Sequence, residues 1–437
     1  MKNWIAVTIF SIAMLAMSCS MDSADSWDAP PESEYLIEID YEQELLNLED
    51  VPVVAQEDKQ KWGKQVNQFA HTYAIENFQG TDNFVISPTA LYSGLAMAAY
   101  GAQGTTYQEI ADALHWEAER SDALDLSAAM QLNLRFDGQN ENSRYVMANQ
   151  FWADEHLLIS EQFKLAMQTI FKVPVQICNF LDYTFYVIDA LNRWMLDITN
   201  QFIAKLTNND SYGTETFMLV NATRFEGNWA FPFDSTKTKK KVFHGLSQDN
   251  VVDFMHLIYD FKYYENVEKG YQAVILPYKD ELFDMVVILP NDNETAQSVI
   301  HNLTAEDFGL ISVEAENTQL IDVSLPKFGV SGNSFDMINN LENIGIQEAF
   351  FTGFAQFDIS DSGTGFIYIN KVLHQAVLTV DENGTNSYKA LEVTSDKTDP
   401  EKDVIPFHVN HAFAFAVTHR ASGAVVYLGL MNDIGES

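Results

Sequence analysis

Apolar residues recur without a long interruption from about Trp62 to the C-terminal end of the chain. No Pro-, Gly- or Ser-rich break in that stretch is long enough to separate two domains. Of all 437 residues, 47% are apolar and only 20% are charged, so a large core can form. These features predict one large folded domain, which we place at residues 59–437.

The residues before this domain have a different composition. Residues 20–50 contain eleven Asp or Glu residues and neither Lys nor Arg. Such a segment repels itself and remains solvated, so we predict an acidic flexible tether over residues 19–58. The whole chain has a formal net charge of −37, which disfavours nucleic acid as a partner because phosphates are also negative.

The first residues have the composition of an export signal. Residues 1–18 contain one charged side chain, Lys2, and an apolar run shorter than the roughly 20 residues of a membrane-spanning helix. We therefore predict a signal peptide over residues 1–18. The run ends at Ser18-Cys19, which resembles a bacterial lipoprotein cleavage site with Cys19 as the lipidated residue.

This interpretation makes the protein an exported lipoprotein of the cell surface or outer membrane, attached to the membrane by its lipid anchor only. Ordinary secretion, with Cys19 removed or free, would make it extracellular or periplasmic. An uncleaved anchor is the third alternative.

Helical patterns occupy the first half of the domain, and strand patterns occupy the second half. Ser87 and Pro88 are typical of a helix start, and Thr106 and Glu109 are spaced as a capping box. Helices are also predicted at Gln65–Phe78, Glu161–Phe171 and Val187–Leu206. Strands are predicted at Phe217–Thr223, Val274–Pro277, Phe283–Leu289, Ile321–Leu325 and the hairpin Phe413–Thr418 with Val425–Met431. This order predicts an α+β fold with mostly antiparallel sheets.

The sequence lacks the motifs of common enzymes. HExxH, GxSxG, P-loop and dinucleotide-binding GxGxxG patterns do not occur. Ten histidines are scattered without ligand spacing, and the only cysteines, Cys19 and Cys178, exclude a disulfide framework and a cysteine-based zinc site. Cys178 is predicted to be a small buried core residue. We therefore predict no catalytic residue, no metal and no cofactor.

Short sequence blocks follow one another in order along most of the domain: Asn83–Pro88, Gly101–Thr106, Asn192–Trp194, Leu219–Trp229, Leu276–Tyr278, Leu289–Pro290, Leu325–Phe328, His374–Ala376 and Asp381–Thr385. This series resembles the serpin family of serine protease inhibitors. The resemblance implies a serpin fold of three β-sheets with eight or nine helices. It also implies an exposed reactive-centre loop, here at about residues 382–406.

The resemblance also implies a mechanism without catalytic residues in the inhibitor. A serpin is a suicide substrate, because a protease cleaves the loop and forms an acyl-enzyme, and the cut loop then inserts as a new strand into the central sheet. The implied partner is a serine protease, trypsin-like or elastase-like, with a cysteine protease as the alternative.

Two parts of the loop follow from this resemblance. Glu382, Asn383, Gly384 and Thr385 resemble the hinge, where glycine permits the backbone to pivot. Counting from the hinge places the reactive bond among three consecutive residues, Lys397, Thr398 and Asp399. Lys397 would suit a trypsin-like protease and Thr398 an elastase-like one. We favour Lys397, because Asp399 and Pro400 make cleavage after Thr398 less attractive.

Four further residues match positions that control the conformation of the family's central sheet. Ser87, Asn221 and His374 match residues that form hydrogen bonds beneath its centre, and Trp229 matches the tryptophan where insertion begins. Without the resemblance, each would be interpreted as a packed core residue with a satisfied partner.

One residue favours a different function. In an inserted strand alternate side chains share a face, so Lys389 would follow Thr385 onto the buried face. Burial of an unpaired lysine costs on the order of several kcal/mol. The alternative to inhibition is therefore a non-inhibitory serpin-fold surface lipoprotein whose loop is a plain protease substrate or a binding element.

Overall fold

A computed structural model describes residues 46–199, 201, 212–214, 216–291, 294–308, 318–332, 336–361, 367–386, 394–397, 399 and 403–435. The predictions for Cys19, Lys389 and Thr398 lie outside the described residues. Helices and strands are both abundant in the described ranges, so the predicted α+β class is confirmed.

The helices precede most of the strands in the sequence, as predicted. They are α1 (Gln56–Asn77), α2 (Pro88–Gly101), α3 (Gly104–Ala113), α4 (Arg120–Asp137), α5 (Glu161–Ile170), α6 (Phe180–Ile198), α7 (Ala296–Asn302) and α8 (Ile338–Asn343). None of the helices in the described ranges combines the length and the apolar character that crossing a bilayer requires.

The strands of the central sheet are β2 (Ser143–Asp154), β3 (Val175–Cys178), β4 (Phe217–Asn228), β10 (Phe328–Ser331), β11 (Lys371–Gln375), β12 (Val377–Val380) and β13 (Gly384–Thr385). Their order across the sheet is β10-β12-β13-β4-β2-β3, and β11 pairs with part of β4. β2 and β4 pair in antiparallel fashion from Ser143↔Gly227 to Ala153↔Phe217, which gives the sheet a long rigid half.

A second sheet has the order β1-β16-β15-β8-β7-β6-β9-β14, and β5 also pairs with β6. Its strands are β1 (Phe84–Ile86), β5 (Lys239–His244), β6 (Asp249–Asn266), β7 (Tyr271–Pro277), β8 (Phe283–Pro290), β9 (Thr318–Pro326), β14 (Ile405–His408), β15 (Phe413–His419) and β16 (Val425–Met431). β6 pairs with β5 over Asp249–Phe254 and with β7 over Lys262–Asn266. The long strand β6 therefore joins two of the three expected sheets into one hydrogen-bonded array.

α2 packs directly against the central sheet. It begins at Pro88, as predicted, and nearly all of its residues are buried. A Cβ added to Gly94 would lie 3.0 Å from the side chain of Leu219 on β4. Glycine at this position therefore allows close contact between the helix and the strand that borders the expected insertion site.

The predicted capping box of α3 is wrong. The Thr106 hydroxyl accepts a hydrogen bond from the backbone N–H of Gln356 at 3.0 Å. The Glu109 carboxylate accepts hydrogen bonds from the backbone N–H groups of Gln347 and Glu348 at 2.8 and 2.7 Å. Both side chains accept hydrogen bonds from backbone groups far away in the sequence instead of capping the start of α3. The spacing of Thr106 and Glu109 alone does not reveal these partners.

The folded body begins earlier in the sequence than predicted. Leu46 is 6% exposed, and its backbone N–H and carbonyl both bond to the side-chain amide of Gln139, at 2.7 and 3.0 Å. The carbonyl of Pro52 accepts a hydrogen bond from Asn133 at 2.9 Å, and α1 starts at Gln56. Residues 46–58, which the sequence analysis assigns to the tether, are therefore part of the folded body.

Candidate functional site: the loop hinge and the central sheet

The strands on either side of the predicted insertion site are close at one end and separated at the other. β11 pairs in parallel with β4 from Lys371↔Met218 to Gln375↔Ala222. Beyond this, β12 pairs with β10 on one side and meets β13 at Val380↔Thr385 on the other. β13 in turn pairs with β4 at Gly384↔Asn228 and Thr385↔Gly227. Gly384 and Thr385, two of the predicted hinge residues, therefore already form a short strand between β4 and β12.

Gly384 is the residue that makes this close approach possible. A Cβ at this position would lie 1.8 Å from the carbonyl oxygen of Gly227. Only glycine fits there without a backbone shift. Position 384 therefore needs glycine because a side chain would collide with the neighbouring strand, and also because glycine allows the backbone to pivot.

The side chain of Thr385, the last of the predicted hinge residues, is fully buried. Its hydroxyl lies 2.6 Å from the hydroxyl of Tyr278, whose ring stacks on Trp229 at a centroid distance of 4.8 Å. Trp229 is itself bound to the hinge turn, since its indole N–H donates to the carbonyl of Asp381 at 3.0 Å and its backbone N–H to the carbonyl of Asn383 at 2.9 Å. The structure therefore places Trp229 at the hinge.

Glu382 anchors the base of the hinge. Its carboxylate accepts a hydrogen bond from Thr238 at 2.7 Å and pairs with Lys327 at 3.0 Å. Burial acts to raise the pKa of Glu382, but the donors Thr238 and Lys327 outweigh it and hold this pKa below its usual value. The carboxylate therefore remains charged and fixed at neutral pH.

Ser87, Asn221 and His374 come together beneath the centre of the sheet, and all three are buried. His374 Nδ1 is within hydrogen-bond distance of Asn221 Oδ1, and the backbone N–H of Ser87 donates to His374 Nε2 at 3.2 Å. Burial lowers the pKa of His374 to about 3. The imidazole is therefore neutral, with Nδ1–H as donor and Nε2 as acceptor.

Two residues that the sequence analysis did not select complete this network. The Asn221 amide donates to the carbonyl of Ala90 at 2.7 Å and to the side chain of Asn149. Asn149 also donates to the carbonyl of Ala90 at 3.2 Å. The carbonyl group of Ala90 thus accepts hydrogen bonds from both asparagines, and this role does not depend on the side chain at position 90.

The predicted reactive residue Lys397 lies against β6. Its backbone N–H donates to the carbonyl of Ile258 at 2.8 Å, and its ammonium group donates to Asp260 at 3.0 Å and lies 4.0 Å from the ring centroid of Tyr259. The hydrogen bond to Asp260 raises the pKa of Lys397. The neighbouring Asp396 pairs with Lys237 at 2.6 Å. Both residues of this loop segment are therefore bound to the body.

The described residues contain no group of His, Cys, Asp and Glu side chains that could hold a metal ion. Cys178 is buried, as predicted, and burial raises the pKa of its thiol to about 12. A thiol with this pKa is not a nucleophile at neutral pH.

Comparison with known proteins decides the family. The sequence profile of the family described as Serpin (serine protease inhibitor) matches residues 64–434. The chain belongs to the serpin family. A serine protease inhibitor of Cyanea capillata is 32% identical to this serpin over 315 residues, which are 70% of this chain and 81% of the relative. Intracellular coagulation inhibitor 2 of Tachypleus tridentatus is 25% identical, with 84% of this chain and 90% of the relative covered.

Solved structures confirm the serpin fold. The thermophilic serpin tengpin in its native state superposes with a TM-score of 0.76 at 23% identity, covering 88% of this serpin and 96% of tengpin. Human thyroxine-binding globulin, solved with its hormone, gives a TM-score of 0.77 at 19% identity, covering 87% of this serpin and all of the globulin. Members of the family are in general protease inhibitors and not proteases, in line with the absence of enzyme motifs in the sequence.

Proposed function

We propose that this serpin inhibits a serine protease as a suicide substrate. The observation that carries the proposal is the pairing of Gly384 and Thr385 between β4 and β12. This pairing fixes the register of a new strand at the end where the loop leaves the sheet. A cleaved loop can therefore continue a strand whose first two residues are already in place.

The proposed reaction begins at Lys397. The protease serine oxygen attacks the carbonyl carbon of Lys397, the bond to the nitrogen of Thr398 breaks, and the protease histidine returns the serine proton to the leaving amine. An ester then joins Lys397 to the protease. Insertion of the loop carries the ester-linked protease along the sheet before water can hydrolyse it.

Denaturing gels test this proposal directly. Incubation of the mature domain with trypsin, and separately with an elastase, should give a band near the sum of the two masses that survives boiling in detergent. The released C-terminal fragment should begin at Thr398 by mass spectrometry. Complete cleavage of the loop without a stable band, for a broad panel of serine and cysteine proteases, would refute inhibition.

A second candidate function is supported by the buried position of Thr385. Since Thr385 is fully buried, the alternation of a strand directs residues 387 and 389 of an inserted loop to the same face. Burial of the Lys389 ammonium would slow insertion, and the acyl-enzyme would then hydrolyse. The protein would be a substrate with a serpin fold.

The matched variants Lys389→Ala and Lys389→Arg separate these functions. The alanine variant should need fewer serpin molecules per inhibited protease, and the arginine variant should need at least as many as the unmodified chain. Equal stoichiometry for all three proteins would remove Lys389 as a determinant.

We further propose that Cys19 carries a lipid anchor that holds the inhibitor at a bacterial cell surface or outer membrane. The support is the sequence Ser18-Cys19 after the apolar run, with an acidic segment that can separate the domain from the membrane. Metabolic labelling with a radioactive fatty acid should label the unmodified protein and a Ser20→Ala control but not Cys19→Ala. Equal labelling of Cys19→Ala would contradict the assignment.

A further inference from the structure

Asn386, the residue after the predicted hinge, has an unusual backbone conformation and forms several hydrogen bonds. Its φ is +46°, in the left-handed region that few residues other than glycine adopt. It is only 4% exposed, although it follows the last residue of β13. Asparagine is one of the residue types that tolerate this conformation, because its amide can bond to nearby backbone groups.

The side-chain amide of Asn386 bridges β12 and β4. Its Oδ1 accepts hydrogen bonds from the backbone N–H of Thr379 at 2.8 Å and from the Thr379 hydroxyl at 2.6 Å. Its Nδ2 donates to the carbonyl of Phe225 on β4 at 2.8 Å and lies 3.4 Å from the carbonyl of Val377 on β12. The backbone N–H of Asn386 also donates to the carbonyl of Thr379 at 2.8 Å.

The register shows which groups the amide replaces. If the pairings Val380↔Thr385 and Thr385↔Gly227 continued in the same register, residue 386 would lie opposite Thr379 and residue 387 of an inserted loop would lie opposite Phe225. In a longer inserted strand, backbone groups of the loop would bond to Thr379 and Phe225. In the present state the Asn386 side chain bonds to the backbone N–H of Thr379 and to the carbonyl of Phe225, so these two groups already have a partner without a longer inserted strand.

We propose that Asn386 is a positioning residue that arrests the loop after two inserted residues. Further insertion requires Asn386 to leave the left-handed region, to adopt an extended conformation and to give up its amide bonds to Phe225 and Thr379. The arrest therefore favours the state in which the loop can still be presented to a protease. The inference goes beyond the proposed function, because it concerns what holds the loop before cleavage.

After insertion, the side-chain amide of Asn386 would not form these hydrogen bonds to β4 and β12. Side chains alternate along a strand, so residue 386 would lie on the face opposite to the buried Thr385. A substitution at Asn386 should therefore change the arrested state more than the inserted one. This asymmetry makes the proposal testable by kinetics as well as by stability.

Three variants separate the amide from the backbone conformation. Asn386→Gly removes the amide and keeps the left-handed conformation accessible, whereas Asn386→Ala removes the amide and disfavours that conformation. Asn302→Ala is the matched control, because it removes an asparagine amide at an exposed position in α7, outside the hinge and the central sheet. Each protein is nicked in the loop by a metalloprotease, which forms no acyl-enzyme.

Insertion is followed after nicking by tryptophan fluorescence and by the rise in melting temperature. Each lost hydrogen bond of about average strength corresponds to roughly fivefold in rate. We therefore expect Asn386→Gly and Asn386→Ala to insert at least about tenfold faster than the unmodified chain and Asn302→Ala. The melting temperatures of the fully inserted forms should agree among all four proteins.

Equal insertion rates for all four proteins would overturn the arrest, and so would a uniform loss of stability in nicked and intact forms with unchanged rates. If the loop of the nicked unmodified chain does not insert but that of Asn386→Gly does, Asn386 prevents insertion completely, and the proposal is supported. If neither inserts, the proposal for Asn386 fails together with loop insertion. If the unmodified chain inserts at the same rate as Asn386→Gly, only the proposal for Asn386 fails.

Discussion

From the ion pair between Lys397 and Asp260 we predict that the folded body restrains Lys397, the proposed reactive residue. The two charged atoms are 3.0 Å apart, and their side chains are 45% and 22% exposed. A pair this exposed contributes roughly 0.2–1 kcal/mol, because water and salt screen it. The contact with Tyr259 adds roughly 0.5–1 kcal/mol. A protease that binds Lys397 in its specificity pocket must first break both contacts.

The substitution Asp260→Asn removes the charge attraction and leaves Tyr259 in place. Loss of up to about 1 kcal/mol raises the fraction of undocked Lys397 by up to about fivefold. We therefore expect the second-order rate of loop cleavage by trypsin to rise about 1.4-fold to fivefold at low salt. The difference from the unmodified chain should shrink as salt increases, because the Debye length falls to about 8 Å at physiological ionic strength.

Asp253→Asn is the matched control on the same strand. It makes the same change in net charge, so it accounts for long-range effects on the approach of the protease. Stopped-flow or discontinuous gel assays of all three proteins over a range of salt concentrations give the comparison. A rate for Asp260→Asn that equals the Asp253→Asn rate at every salt concentration would refute a restraining role for this ion pair.

Three other perturbations have defined outcomes. His374 titrates at about 3 in the folded state against 6.5 in the unfolded state, so its contribution to stability is complete above pH 6.5 and is lost as the pH falls towards 3. His374→Gln should therefore reduce the slope of unfolding free energy against pH in that window by up to about 1.4 kcal/mol per pH unit relative to the unmodified chain, and an unchanged slope would contradict the argument. Gly384→Ala should destabilise the native form by about 1–3 kcal/mol in urea, because its Cβ meets the Gly227 carbonyl, while Gly213→Ala, in open space, serves as the control. In Thr385→Arg the arginine charge cannot be buried at this fully buried position, so the protease should still cleave the loop but the covalent band should disappear. The control Asn383→Arg, at a half-buried position, should keep the band. A persistent band in Thr385→Arg would contradict the argument.

The strand-rich second half of the chain was accessible to sequence reasoning because its apolar runs are short and separated by turns. β2 was not predicted, since nearly every residue from Ser143 to Asp154 is buried and the two-residue alternation of a half-exposed strand is absent. The basic run at Lys239–Lys241 forms the first half of β5, and these three side chains are exposed.

The candidate site was predicted in part. Ser87, Asn221 and His374 were identified through the family resemblance, and the structure brings all three together. Asn386 and Asp260 carried no sequence signal, because their importance depends on contacts with residues far away along the chain. A left-handed φ at an asparagine is common in turns, so the sequence alone gives no reason to place this residue between two strands.

The contacts of Lys397 and Asn386 act on different steps. In the proposed mechanism a protease binds and cleaves at Lys397, so release of this residue from Asp260 would affect the rate at which the acyl-enzyme forms. Asn386 leaves its bonds to Phe225 and Thr379 only when the loop inserts, so it affects the competition between insertion and hydrolysis of the ester. Asp260→Asn should therefore change the association rate without changing the stoichiometry of inhibition, and Asn386→Gly should do the reverse. Because the two residues share no hydrogen-bond partner among their described contacts, the effects should combine independently in the double variant.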